Sequence, residues 1–227
     1  MNEPQFTGFA DREEGGRRLA ERLRQYKGKS DVIVIGLPRG GVVTAAVIAQ
    51  ELALPLDVLV VRKLGTPGQR ELAMGAIGPE GVRILNEDIV EALRIRPEAI
   101  ESEVQKQRAE LDRRQRLFRG DRAPLEFAGK SVIIVDDGLA TGSTMAAAIA
   151  VIRHHKPART ILAVPVAPID TLAQFRSQVD ELVCLETPEP FDAVGRWYRD
   201  FAQVEDEEVV TILRNFDRRV RPAAVLA

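Results

Sequence analysis

The sequence predicts an α/β fold in which a mostly parallel sheet of about five strands is flanked by helices. Two observations carry that expectation. Short apolar runs at 31–36, 55–61, 132–135, 159–166 and 181–185 are rich in Val, Ile and Leu, the pattern of strands buried on both faces. Two of the runs pass through small-residue turns into alanine-rich helical patterns, at 42–52 and 145–152, which is the strand, turn, helix order of a parallel crossover unit.

Length and charge narrow the classes. A chain of 227 residues suits one α/β domain with an appendage. The net charge of −2 and the pI near 5.9 exclude a general attraction to nucleic acid or to an anionic membrane, so any polyanion site must be local. Residues 1–16 are polar, and no run approaches the roughly 18 apolar residues of a membrane span, so a cytoplasmic protein is expected. Cys184 is the single cysteine, which excludes an internal disulfide and a cysteine-rich metal site. Its apolar run makes it a small buried side chain.

Taken in order, 11–27 places Leu19, Ala20, Leu23 and Tyr26 at helical spacing, with Asp11 as N-cap and Gly28 as stop. The strand at 31–36 runs into Leu37, Pro38, Arg39, Gly40 and Gly41. There the glycines expose backbone donors at a helix start, and Arg39 offers a planar fork for phosphate oxygens. An ordinary βα turn has the same residues. The strand at 55–61 delivers Arg62 and Lys63 to the sheet's C-terminal edge, where open α/β folds place ligands; a solvated basic pair is the plainer reading. Residues 64–81 hold Gly65, Gly68, Gly75, Gly78 and Gly81 with Pro67 and Pro79, the composition of a mobile lid loop and equally of a glycine-rich hairpin.

A short strand at 82–85 and a short helix at 87–93 precede a longer helix that Pro97 opens and Gly120 closes. Its Glu110/Arg114 and Asp112/Arg116 pairs have salt-bridge spacing, and Val104, Leu111 and Phe118 form a thin apolar stripe. Acids are interleaved with its arginines and aromatics are few, which marks a solvated face and not a nucleic-acid surface. His154 and His155 end the helix of the central motif as favourable C-terminal cations, not as a metal pair. A helix at 170–177, a strand at 181–185, an aromatic segment at 191–201 and a helix at 206–215 complete the chain before a loose tail at 223–227.

The chemistry concentrates in Ser131-Val-Ile-Ile-Val-Asp-Asp-Gly-Leu-Ala-Thr-Gly-Ser-Thr144. Asp136 and Asp137 end a buried strand, and a turn of small residues then feeds a helix N-terminus, where unpaired N–H groups and the helix dipole favour an anion. Thr141, Ser143 and Thr144 add hydroxyls, and Gly142 lets the backbone approach closely. No lysine precedes the final Ser-Thr pair and the turn is a residue too short for a Walker A loop, which weakens a nucleoside triphosphatase reading. Paired carboxylates repel a bare triphosphate but accept hydrogen bonds from vicinal sugar hydroxyls, so a ribose phosphate satisfies both halves. The bland alternative is two Asp residues that end a strand and cap a helix.

This stretch resembles the signature of the type I phosphoribosyltransferases. The resemblance implies their Rossmann-like fold and the substrate 5-phosphoribosyl 1-pyrophosphate (PRPP). Asp136 and Asp137 would then face the ribose hydroxyls. The family works with Mg²⁺, and contact with the metal, direct or indirect, would fall to the same two acids. Ala140, Thr141, Gly142, Ser143 and Thr144 would hold the 5′-phosphate. Arg39, Gly40, Gly41, Arg62 and Lys63 would face pyrophosphate, with Arg70 reaching it from the lid at 64–81. Asp136, Asp137, Lys63 and Arg39 would carry catalysis. A hood at about 187–218 would receive a nitrogen base, with Phe191, Trp197, Tyr198 and Phe201 as stacking candidates; a small satellite core explains those aromatics as well. The expectation is one domain over 1–227, with a core at about 30–186, a helical insertion at about 87–127 of unassigned role, and a possible homo-oligomer. A non-catalytic PRPP- or nucleotide-sensing regulator of the same fold and a PRPP or sugar-phosphate hydrolase are the alternatives to a transferase.

Overall fold

The computed structural model describes residues 8–120, 122–123 and 125–220. Helix α1 (Arg12–Arg22) leads into β1 (Val32–Gly36), α2 (Gly40–Leu52) and β2 (Leu56–Val58). Three antiparallel strands follow, β3 (Arg62–Thr66), β4 (Gln69–Ile77) and β5 (Arg83–Leu85), and then α3 (Glu87–Ala92) and α4 (Pro97–Arg119). The chain returns through β6 (Ser131–Val135), α5 (Ser143–His154), β7 (Arg159–Val166), α6 (Ile169–Ala173), β8 (Glu181–Glu186) and α7 (Asp206–Val220).

The main sheet has the order β2-β1-β6-β7-β8, and every neighbouring pair is parallel. These are the five apolar runs, and all of β6 is buried. Residues alternate between the two faces as the pleat demands. Val32, Val34, Ile133 and Val135 join the core under α1, α2, α4 and α7, whereas Ile35, Val132, Ile134 and Leu162 join Met145, Ile149 and Phe175 on the other side. After β1 the chain moves outward to β2 and later crosses back to β6. Strand order therefore reverses between β1 and β6, and the crevice at their C-terminal ends is where open α/β sheets bind ligands. No helix among the described residues is long and apolar enough to cross a membrane.

Several boundaries differ from expectation. Asp11 caps α1 by accepting from the Glu14 amide at 2.7 Å, but the α-helix stops at Arg22 and a short 3-10 turn covers Arg24–Tyr26. The strand expected at 55–61 ends at Val58, and Arg62 and Lys63 open β3 instead of closing β2. The helix expected at 170–177 occupies only Ile169–Ala173, while the last helix extends beyond 215.

Of the two readings of 64–81, the structure shows the hairpin: β3 and β4 are joined through Pro67 and Gly68. Its glycines serve packing as well as turning. A Cβ on Gly75 would lie 2.2 Å from the Ile84 carbonyl oxygen of β5, and one on Gly78 would lie 2.7 Å from a Val151 methyl of α5. Leu64, Thr66, Met74 and Ala76 are buried between these glycines. Helix α4 covers the hairpin with Ile100, Val104, Leu111 and Phe118, the stripe read from the sequence with one residue added. Its end is moored to the sheet edge, because Arg119 donates to both oxygens of Asp57 on β2 at 3.2 and 3.1 Å, and Arg122 adds a contact at 3.2 Å.

Candidate active site

The turns after β1 and β6 meet at the strand-order reversal. Their approach depends on missing side chains: a Cβ on Gly40 would lie 1.9 Å from Asp137 Oδ2, and one on Gly41 would lie 2.8 Å from the Asp136 Cα. The Pro38–Arg39 peptide in the first turn is cis. In the second turn the Asp137 amide donates to Asp136 Oδ1 at 2.9 Å, and the Asp137 carbonyl accepts from the Tyr198 hydroxyl at 2.6 Å. Burial, and then the neighbouring Asp137 charge, hold the Asp136 carboxyl well above the usual range. Burial likewise pushes the Tyr198 phenol up, so it stays a donor.

The segment from Gly138 to Thr144 then wraps the N-terminus of α5. Gly142 precedes the helix in the left-handed region (φ 72°), against the Phe175 ring. Thr171 of α6 donates to the Ala140 carbonyl at 2.8 Å, so the turn is braced from below. Thr141 Oγ1 and Ser143 Oγ lie 3.0 Å apart, and Ala140, Thr141 and Thr144 are exposed. The result is a turn without cations, with amides and hydroxyls at a helix start, suited to one phosphoryl group.

Beside Thr144 opens a polar cavity of about 420 Å³. Arg62 and Lys63 of β3 line it, together with Glu103, Lys106 and Gln107 of α4. Arg62 Nε donates to Gln107 Oε1 at 2.9 Å, and Gln107 Nε2 donates to Glu103 Oε1 at 2.9 Å, a relay that fixes the guanidinium. Helix α4 thus forms one wall of the cavity.

A sequence profile described as "Phosphoribosyl transferase domain" matches residues 9–195. The chain belongs to the phosphoribosyl transferase family. Its fold is that of the family, a five-stranded parallel sheet flanked by helices. Two Mycobacterium tuberculosis proteins, from strain CDC 1551 and from a second strain, each named "Putative phosphoribosyl transferase", are 49% identical over 218 residues, covering 96% of this chain and 49% of theirs. The chain spans about half the length of these curated relatives. The crystal structure of TT1426 from Thermus thermophilus superposes with a TM-score of 0.85 at 40% identity, covering 92% of this chain and 99% of that one.

Within this phosphoribosyl transferase domain the candidate residues separate into groups. Asp136, Asp137, Gly40, Gly41 and the turn from Ala140 to Thr144 converge, and Arg62 and Lys63 line the adjoining cavity. Arg39 does not point into that cavity: its Nη1 lies 3.5 Å from Glu205 and 3.9 Å from Asp206, at the start of α7. The side chain of Arg70 lies outside the described residues. The aromatic segment packs as a satellite core around Phe9, Val166 and Tyr198, with Phe191, Trp197 and Phe201 against it. Tyr198 stacks on Phe201 at 5.0 Å, so these two rings are engaged with each other and are not open faces for a base.

The sequence reading missed Arg12, Glu103, Lys106, Gln107 and Thr171. The spacing of Glu103 and Gln107, four apart on one helix, was the one available signal for the relay. The acidic pair also suits a magnesium ion. Mg²⁺ characteristically takes one or two carboxylates with substrate phosphates and water, and no cluster of three or more His, Cys, Asp or Glu residues exists among the described residues to form an all-protein cage.

Proposed function

We propose that this chain transfers the 5-phosphoribosyl group of PRPP to a nitrogen base and releases pyrophosphate. The observation that carries the reading is the junction at the β1/β6 switch point: two acids, a cation-free phosphate turn and a glycine-tight turn, with a cationic cavity alongside. The amides and hydroxyls from Ala140 to Thr144 hold the 5′-phosphate. Asp136 and Asp137 accept from the ribose hydroxyls and steady a ring that gains positive charge. Arg62 and Lys63 stabilise the departing pyrophosphate, and their alignment with the leaving group is where the electrostatic advantage arises. Asp136 and Asp137 would hold Mg²⁺, directly or through water, and the ion would supply neutralisation of pyrophosphate charge. The β3/β4 hairpin shields the reacting carbon from water.

In the cytoplasm, the expected setting, PRPP with Mg²⁺ should raise the melting temperature, and Asp137→Asn should diminish that rise by removing a charged acceptor. No shift with millimolar PRPP would sink the assignment. Pyrophosphate release in a screen of purine and pyrimidine bases tests catalysis, and release without any base would identify a hydrolase. The ion pairs of Arg39 with Glu205 and Asp206 favour a second reading, a PRPP-sensing regulator, since they take one expected pyrophosphate contact away from the cavity. Binding without turnover across the screen would select it.

A further inference from the structure

We propose that Arg12, the first residue of α1, positions the Asp137 carboxylate for the ribose hydroxyls; the proposal rests on the phosphoribosyl reading above. Arg12 Nε donates to Asp137 Oδ2 at 2.7 Å, across 125 positions of sequence, and the two side chains are only 11% and 15% exposed. Its guanidinium is fixed from other directions too. Nη1 donates to the Ala202 carbonyl at 2.8 Å, and the Phe201 ring lies 3.8 Å away. The Gly40 Cα presses close as well, since a Cβ there would lie 2.7 Å from Arg12 Nε. A guanidinium held on three sides has one orientation, and it imposes one on the carboxylate.

The placement answers a chemical difficulty of the site. Two adjacent acids must face a substrate that carries several negative charges. Arg12 balances one of them without entering the phosphate turn or the cationic cavity, so the pair can accept hydroxyl hydrogens with less repulsion of the phosphates. Arg12 is accordingly a positioning residue, and it acts on the sugar and not on the pyrophosphate.

The test uses isothermal titration of the full chain with three probes: PRPP with Mg²⁺, and ribose 5-phosphate and inorganic pyrophosphate each without the metal. Arg12→Gln should weaken PRPP and ribose 5-phosphate by the same factor, roughly tenfold or more for a lost charge-assisted contact, with pyrophosphate binding unchanged. Arg12→Lys, which keeps the charge and loses the fork, should recover part of the loss. If Arg12→Gln does not fold, Arg12→Lys alone must still show the selective loss of ribose 5-phosphate. Ribose 5-phosphate binding at parental strength or tighter would overturn the proposal, making Arg12 a mere tether or a competitor for Asp137. An equal loss of pyrophosphate binding would overturn it too. A parent chain that binds no PRPP would instead overturn the phosphoribosyl reading, and this proposal with it.

Discussion

Replacing Gly142 with alanine tests the phosphate turn through two separate costs. The residue sits at φ 72°, where an alanine Cβ crowds the backbone by about 1–2 kcal/mol. That Cβ would also lie 2.8 Å from Cε2 and Cζ of Phe175, a ring only 1% exposed and unable to retreat into solvent. Overpacking of this kind costs about 1–3 kcal/mol. Together the effects predict a loss of about 2–5 kcal/mol, or a fall in Tm of about 4–20 °C for a domain of this size. Gly129→Ala is the internal control, because it has φ 69° but nothing within 4 Å of its would-be Cβ. It should show only the backbone cost, a fall of about 2–8 °C. Scanning fluorimetry of both variants, with and without PRPP, separates the costs and asks whether the PRPP response disappears at 142 alone. Equal melting of the two variants, with the PRPP response intact in both, would refute both the packing argument and the seat assigned to the phosphate.

Further outcomes follow from other contacts. Arg119→Ala leaves the largely buried Asp57 with Arg122 and the Val58 amide, and urea denaturation should register a loss of about 3 kcal/mol, the low end for breaking a buried pair. Gln107→Leu removes the partner of Arg62 Nε, so titration with pyrophosphate should show roughly fivefold weaker binding at nearly unchanged Tm. Hydrogen bonds from Arg113, then from Arg114, pull Glu110 from 4.5 down to about 2. A carboxyl lowered by folding adds stability above its unfolded value and loses it as pH falls through the folded one. Melting curves should therefore show Glu110→Gln below the parent at pH 7, with the gap closing between pH 4.5 and about 2.

The parts of the site legible in the sequence are those in which one short segment carries both the structural and the chemical signal. The run from Ser131 to Val135 demands burial on two faces, and its continuation places two acids and a small-residue turn at the strand end, so strand, pair and turn are visible together. Contacts between distant segments leave no such mark. Arg12 looks like any arginine beside the acids of a helix's first turn until α1 packs against the β1 turn. Arg39 looks available for pyrophosphate because Glu205 and Asp206 lie far along the chain. The glycines of 64–81 leave a hairpin and a mobile loop indistinguishable in the sequence. Gly75 admits the β5 backbone, so its lack of a side chain reflects close approach and not freedom of movement.

Arg62, which lines the cavity beside Thr144, is steadied by a helix whose opposite side faces solvent. Gln105 is exposed, two positions from the amide that grips Arg62. A ligand that draws on Arg62 would therefore compete with the hydrogen bond that ties it to α4. An environment-sensitive dye attached at 105 would turn the domain into an optical reporter of its own ligand, read from outside without a probe in the pocket.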